Sequence, residues 1–111
     1  MPEFKEYDLW WTMVKFEDDP DRQKERPVMV MSPRNDSATG FYVTSQNPRP
    51  GERDFVIRDW KAAGLTKPST IRLDRRVPLS KEICREKIGN LSRNDRILLG
   101  MWLADPSKVH Q

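Results

Sequence analysis

The sequence predicts a small, largely antiparallel β-barrel with one helix at its C-terminal end. Short runs of β-branched and aromatic residues recur along the chain, and turn-forming residues separate them. Close spacing of such runs, with one terminal helical stretch after them, is typical of a small barrel. The 111 residues fit a single domain, residues 1–111, with no internal repeat and no linker.

Six segments have the pattern of strands. The second is a continuous apolar run from Pro27 to Met31 that Ser32 and Pro33 end. Proline is tolerated at the start of a strand but not inside a ladder, so Pro27 is expected to begin this one. The last segment is ambiguous between strand and helix, and we assign it as a strand broken by Gly89 and Asn90. The predicted strands are residues 7–16, 27–31, 41–45, 54–58, 70–73 and 83–88, and residues 17–25, 33–40 and 46–53 are predicted loops.

Two helical features are expected near the end of the chain. Asp59 can cap one helical turn over residues 60–63, with Gly64 as its left-handed stop. Ser92, three residues before Asp95, forms a weak capping box that opens a terminal helix through residue 104. Its predicted apolar face consists of Ile97, Leu98, Met101 and Trp102.

Composition limits the classes of function. The chain has 20 basic and 17 acidic residues, a mildly basic balance that hints at an anionic partner. One cysteine excludes an internal disulfide, and one cysteine with one histidine argues against a zinc site. No apolar run approaches the roughly 20 residues of a membrane helix, so we predict a cytoplasmic protein that does not engage a membrane.

Six segments carry a family resemblance. They are Leu9-Trp10-Trp11, the stretch from Arg26 to Ser32, Val43-Thr44-Ser45, and residues 63–69, 71–74 and 87–92. In this order, and over roughly residues 7–99, they resemble the MazF/PemK family, the toxins of type II toxin-antitoxin systems. No single segment is decisive, and the order of all six carries the comparison.

The resemblance implies a fold and a function. The fold is an SH3-like barrel of the CcdB/MazF/Kid type, assembled as a homodimer. The function is a sequence-specific endoribonuclease for single-stranded RNA that needs no metal or other cofactor. Its implied partner is an acidic antitoxin peptide that folds on binding, and DNA would be reached only through the antitoxin complex.

The residues can be matched to that chemistry. Cleaving RNA without a metal uses the neighbouring 2′-hydroxyl and leaves a 2′,3′-cyclic phosphate and a 5′-hydroxyl, so the protein must move protons and stabilise charge on phosphorus. The usual pair of histidines is missing. The candidate catalytic residues are therefore Arg26, Thr44, Arg72 and Asp74.

Their roles stay open at this point. Arg26 resembles the family's essential arginine, and Thr44 matches a hydroxyl that contacts the scissile phosphate. Arg72 and Asp74 lie two apart in a strand, so they project from the same face and could bracket one phosphodiester. In the Kid-like branch the matching residues are acid and base, but that branch also uses a loop histidine that residues 17–25 lack. This departure favours a centre of Arg26 and Thr44, with Asp74 as helper.

Further residues are candidates for RNA binding. Trp11 adjoins Trp10, so in a strand the two face opposite sides, and an exposed one could stack on a base, although core packing is the safer interpretation. The basic run after Arg72 fits phosphate contacts as well as an ordinary solvated surface. The predicted RNA-binding residues are Ser45, Gln46, Arg75, Arg76 and Trp11.

Two other functions fit the same fold. A gyrase poison of the CcdB type relies on an aromatic C-terminal end, whereas this chain ends Lys108-Val109-His110-Gln111. A non-catalytic SH3-like binding module is the other alternative.

Overall fold

The computed structural model describes residues 3–15, 23–50 and 53–104, within which six strands precede one helix. Residues 17–22 of the loop predicted at 17–25, and the tail from Pro106, lie outside the described residues, whereas residues 23–25 of that loop belong to the second strand. The elements are β1 (Asp8–Lys15), β2 (Gln23–Pro33), β3 (Ser37–Thr44), β4 (Asp54–Val56), β5 (Thr70–Ser80), β6 (Cys84–Asn90) and α1 (Arg93–Ala104).

All six strands belong to one antiparallel sheet in the order β4-β5-β3-β2-β1-β6. The predicted fold class, antiparallel β-structure with a C-terminal helix, is confirmed. Each of the six predicted strands coincides with an observed one, although most boundaries shift. β3 begins at Ser37, within a predicted loop, because the turn after β2 is closed by the amide of Arg34 donating to the carbonyl of Ser37 at 2.7 Å.

Successive residues of the strands are buried on opposite faces of the sheet. In β1, Leu9 packs in one core cluster, the first, and Trp10 packs in another, the second. In β2, Met29 belongs to the first cluster and Val28 to the second. Side chains alternate along a strand with a period of two, so a sheet covered on both faces needs apolar residues at consecutive positions. This explains why residues 28–30 form an unbroken apolar run in which every side chain is fully buried.

An irregularity in β5 connects the two clusters. Tyr42 pairs with Arg72 while its neighbour Phe41 pairs with Arg76, so the register between β3 and β5 passes over residues 73–75. Side chains alternate between the two faces of a strand, so an odd number of extra residues moves the side chains that follow to the opposite face. For this reason Leu73 packs in the first cluster and Val77 in the second. The strand predicted at residues 70–73 is the first part of this longer one.

The prediction that Pro27 begins its strand is wrong. β2 begins at Gln23, and Pro27 lies inside it as the partner of Trp11. The pairing of β2 with β3 starts only at Val28, so at Pro27 the strand has a paired neighbour on one side. A missing N–H is tolerated at such an edge position.

The prediction that Gly89 and Asn90 break the sixth strand is wrong, because both residues are part of β6. A Cβ atom on Gly89 would collide with the carbonyl oxygen of Ala63. The 58–64 turn therefore approaches β6 so closely that glycine is required at position 89. The sequence interpretation took this glycine for the end of the strand. Gly64 ends that turn with a φ of 96°, as predicted.

The helix α1 begins as the capping box predicted. The hydroxyl of Ser92 accepts from the amide of Asp95 at 3.0 Å, and Asp95 is fully buried because its carboxylate accepts from the amides of Arg58 and Asp59. The predicted apolar face is wrong at two positions. Ile97 and Met101 are 52% and 50% exposed, and the helix instead contacts the core through Leu99 and Trp102.

Two glycine-to-alanine substitutions should change stability in opposite directions. Gly64→Ala places a side chain at positive φ with its Cβ 2.6 Å from the carbonyl oxygen of Ile88, so we expect the free energy of unfolding to fall by at least about 1 kcal/mol. Gly100→Ala lies in α1 with nothing within 4 Å, so we expect a rise of roughly 0.5–1 kcal/mol. Urea denaturation followed by tryptophan fluorescence measures both, and equal effects at the two positions would contradict the turn geometry.

Candidate active site

Two of the predicted catalytic residues lie just beyond the point where the pairing of β2 with β3 ends. Arg26 is two residues before Val28, and Thr44 is two residues after Tyr42, the partner of Val28. Because alternate residues share a face, Arg26 and Thr44 project from the same side of the sheet, beside the last residue pair that joins β2 to β3. Arg26 is half-buried opposite Thr12, and within the described ranges it has no ion-pair partner.

Arg72 lies on this same face, one step further along the sheet. It is the register partner of Tyr42 on one side and of Asp54 on the other. Directly opposed residues of antiparallel strands share a face, so the half-buried guanidinium lies beside the second core cluster, against which Tyr42 packs. Its Nε atom is buried and has no hydrogen-bond partner among the described residues.

Gln46 connects Arg72 to Thr44. The Nη2 atom of Arg72 donates to Oε1 of Gln46 at 2.7 Å, and the amide of Gln46 donates to Oγ1 of Thr44 at 3.2 Å. Two predicted catalytic residues and one predicted RNA-binding residue therefore form one hydrogen-bonded chain. Residues 45–50, which we name the Gln46 loop, supply its central member.

The Gln46 loop is held at its other end by Arg49. The guanidinium donates through Nε and Nη2 to the two carboxylate oxygens of Asp54, at 3.1 and 2.7 Å, and the backbone amide of Arg49 donates to the same carboxylate at 2.9 Å. The side chain of Asp54 is only 1% exposed. A buried carboxylate is costly unless a charged partner and hydrogen bonds compensate for its lost hydration, and Arg49 provides both.

Asp74 is in contact with Arg49 rather than with Arg72. Nη2 of Arg49 donates to Oδ1 of Asp74 at 2.8 Å, so one guanidinium joins both carboxylates. Asp74 thus lies on the side of Asp54 and Arg72, as the spacing predicted, but its hydrogen bond is with a residue that the sequence interpretation did not consider. The side chain of Asp74 is 31% exposed, so water also reaches it.

The ion pairs change two pKa values. The pKa of Asp54 is lowered below its ordinary value, mainly by the hydrogen bond from Arg49, while burial opposes the change and the charge of Arg72 adds to the lowering. The pKa of Arg49 is raised, first by the hydrogen bond to Asp54 and then by the one to Asp74. Both groups are therefore charged throughout the neutral range.

The remaining predicted RNA-binding residues are dispersed. Ser45 is exposed at the start of the Gln46 loop, and Arg75 is half-exposed within the β5 irregularity. Arg76 is exposed opposite Phe41, so it projects from the other face than Arg72. Trp11 is half-buried and also faces away from Arg26, because its neighbour Trp10 occupies the second cluster. The assignment of these residues to RNA binding stays a prediction.

Arg49 and Asp54 are the members of the cluster that sequence reasoning missed. Arg49 lies between Pro48 and Pro50 in a segment that reads as an ordinary loop, and Asp54 reads as the polar first residue of a strand. Nothing in the local pattern links them to Arg72 or Asp74, about twenty residues further on. The one signal in the sequence is that an acidic residue, Asp54, directly precedes two apolar residues of the strand, Phe55 and Val56.

Two findings concern metal and membrane. Among residues 3–15, 23–50 and 53–104, no group of three or more His, Cys, Asp or Glu side chains is arranged to hold a metal ion. In the same part of the chain, no helix has the length and apolar character needed to cross a membrane.

Comparison with solved structures identifies the fold. The chain is similar to the Mycobacterium tuberculosis toxin MazF-mt6, with a TM-score of 0.63 over 92% of this chain and 99% of that chain. The two sequences are 15% identical, so this similarity concerns the fold. No curated protein sequence matches the chain.

Comparison with the sequence patterns of protein families identifies the family of the chain. The sequence pattern of the PemK-like, MazF-like toxins of type II toxin-antitoxin systems matches residues 5–104. The protein therefore belongs to this toxin family, and the family implies an antitoxin partner. The resemblance predicted from the six segments is confirmed.

The buried carboxylate gives a pH-dependent prediction for Asp54→Asn. Because the folded state lowers the pKa of Asp54 below the 3.8 of an unperturbed aspartate, its ionised form stabilises the fold above about pH 4, and this contribution is lost as the pH falls through the lower folded pKa. We expect the variant to have a lower free energy of unfolding at pH 7, with a deficit that shrinks below pH 4. Urea titrations between pH 3 and pH 7 measure it.

Asp36→Asn is the matched control. Asp36 pairs with Lys81 at 3.0 Å but is 84% exposed, so the substitution should change the free energy of unfolding by less than about 0.5 kcal/mol at either pH. A deficit for Asp54→Asn that is the same at pH 3 and pH 7 would contradict the assigned ion pair.

Proposed function

We propose that this toxin is an endoribonuclease that cleaves single-stranded RNA through the 2′-hydroxyl, without a metal ion. The observation that carries the proposal is the hydrogen-bonded chain of Thr44, Gln46 and Arg72 on the face that also carries Arg26. Two arginines and a hydroxyl on the same face of the sheet are suited to a phosphodiester. Family membership supports the same activity.

In the proposed reaction, the 2′-oxygen attacks the adjacent phosphorus and the bond from phosphorus to the 5′-oxygen breaks. The 2′-hydroxyl loses a proton, the leaving 5′-oxygen gains one, and the products are a 2′,3′-cyclic phosphate and a 5′-hydroxyl. Negative charge develops on the non-bridging oxygens in the transition state. Arg26 and Arg72 stabilise this charge, because a guanidinium stays protonated and donates two parallel hydrogen bonds.

The contacts of Thr44 and Arg72 suit this assignment. The Thr44 hydroxyl accepts from the amide of Gln46, so its own proton remains to be donated to a phosphate oxygen. The Arg72 edge formed by Nε and Nη2 donates once, to Gln46, and its second donor is unpartnered among the described residues. A phosphate oxygen that replaces the Gln46 oxygen would use this edge more fully.

In the proposed reaction, Asp74 assists the proton transfers at the centre formed by Arg26 and Thr44. It is the partly exposed carboxylate of the cluster, whereas Asp54 is buried and accepts three hydrogen bonds from Arg49.

We further propose a cytoplasmic homodimer that is neutralised by an acidic antitoxin segment. The net charge of +3 suits an acidic partner. The exposed Ile97 and Met101 lie one turn apart on α1, and a second copy of the chain is the expected cover for these apolar side chains.

The proposed activity predicts metal-independent cleavage that requires Arg26. Incubated with a long single-stranded RNA transcript in excess EDTA, the wild-type protein should produce defined fragments ending in 2′,3′-cyclic phosphate and 5′-hydroxyl. Arg26→Ala should lower the rate by roughly a hundredfold or more, because losing one preorganised donor to a transition-state oxyanion typically costs 10²–10³. Mapping of fragment ends and initial rates measures both effects.

Arg34→Ala is the control, since Arg34 is exposed in the turn between β2 and β3, at the opposite end of these strands. Its rate should match the wild type. RNA binding without cleavage would identify a non-catalytic module, and cleavage that persists in Arg26→Ala would remove Arg26 from the active site.

A further inference from the structure

Arg49 holds a buried carboxylate that lies directly across the sheet from Arg72. We propose that Arg49 is a positioning residue of the active site, which neutralises Asp54 and so keeps Arg72 available to the phosphate of the RNA. The inference rests on the proposed function for its substrate, but its geometric part, which partner Asp54 takes, is independent of that function.

The first step is the competition for Asp54. Asp54 and Arg72 are register partners in β4 and β5, and side chains so placed have Cβ atoms about 4.5–5.5 Å apart. Within the described residues, the Nε donor of Arg72 has no partner, although it is buried. Arg72 is therefore next to a carboxylate and has an unused donor, yet Asp54 is bonded to Arg49 instead.

The second step is the cost of leaving Asp54 alone. Its side chain is 1% exposed, so water cannot replace the hydrogen bonds that Arg49 supplies. Asp74 also loses a partner if Arg49 is removed, but it is 31% exposed and can be hydrated. Asp54 is therefore the carboxylate that must take a new cation, and Arg72 is the one opposite it.

The third step is the consequence for the site. If Arg72 turned to Asp54, its Nε and Nη2 edge would be used by a carboxylate and would no longer donate to Gln46 or to a phosphate. The Gln46 loop would lose its contact through Gln46, whereas the bond from the backbone amide of Arg49 to residue 54 would remain. Arg49 thus acts on the reaction through Arg72, without contacting the RNA.

The decisive experiment combines Arg49→Gln with Asp54→Asn. Arg49→Gln alone should slow RNA cleavage by at least about tenfold, since a donor withdrawn from the transition state typically costs 10²–10³. The double variant has no buried carboxylate to capture Arg72, and the partly exposed Asp74 is hydrated, so its rate should return to within about threefold of the wild type. A positioning role predicts this rescue, whereas direct RNA contact by Arg49, or a loss of folded protein, does not.

The second readout is the Nε–H NMR signal of Arg72, assigned by its disappearance in Arg72→Lys. In Arg49→Gln this signal should shift as Nε gains a carboxylate acceptor, and it should return in the double variant. Arg49→Lys keeps a charge near Asp54 without the two-pronged contact, and it should give intermediate shifts and rates. It replaces Arg49→Gln if the latter does not fold.

Lys81→Gln is the matched control, because it breaks the pair with Asp36 at the far end of β3 and β5. It should change neither readout. A double variant as slow as Arg49→Gln, or an Arg72 signal that does not respond to Arg49→Gln, overturns the inference. If the wild type cleaves no RNA but the Arg72 signal behaves as described, the proposed function fails while the positional claim stands.

Discussion

The register shift between β3 and β5, which passes over residues 73–75, is the constraint on which the rest of the structure depends. A regular strand would keep Leu73 and Val77 on the same face, whereas the irregularity between Arg72 and Arg76 assigns them to different core clusters. One strand can therefore contribute to both clusters. The same irregularity brings Asp74 to Arg49 and sends Arg76 to the other face, so it sorts the basic run into residues that join the site and residues that do not.

Electrostatics at this end of the sheet is organised around a buried charge. Asp54 is compensated by a bidentate arginine and a backbone amide, which makes it a rigid anchor for the Gln46 loop. Since the loop in turn places Gln46 between Thr44 and Arg72, the arrangement of these polar side chains follows from the ion pair of Arg49 with Asp54. This is the usual arrangement of a site whose reacting groups are held by a supporting layer of hydrogen bonds.

The helix illustrates how burial and exposure divide an apolar segment. Its first turn is tied to the turn at residues 58–59 through the buried Asp95, and this contact determines which side of the helix meets the sheet. Leu99 and Trp102 then pack in the core, and Ile97 and Met101 face outward. In a family of paired toxins and antitoxins, such outward apolar residues suit a surface that is covered in the assembled state.

The sequence by itself determined the fold class, the positions of the strands, the capped terminal helix and the family. These features depend on local patterns: the period of apolar residues, the turn chemistry around Gly64, and the spacing of Ser92 and Asp95. It also predicted Arg26, Thr44, Arg72 and Asp74 as catalytic residues, because their types suit phosphate chemistry and they stand in a recognisable order, and this assignment stays a prediction.

Only the tertiary structure decided which charges pair. The contacts of Arg49 with Asp54 and Asp74 join residues from a loop and two strands, and no periodicity encodes the register that brings them together. The place of Pro27 inside a strand and the close contact at Gly89 likewise depend on which neighbours are paired. Register, and the burial it imposes on a single carboxylate, is the physical quantity that local sequence patterns do not contain.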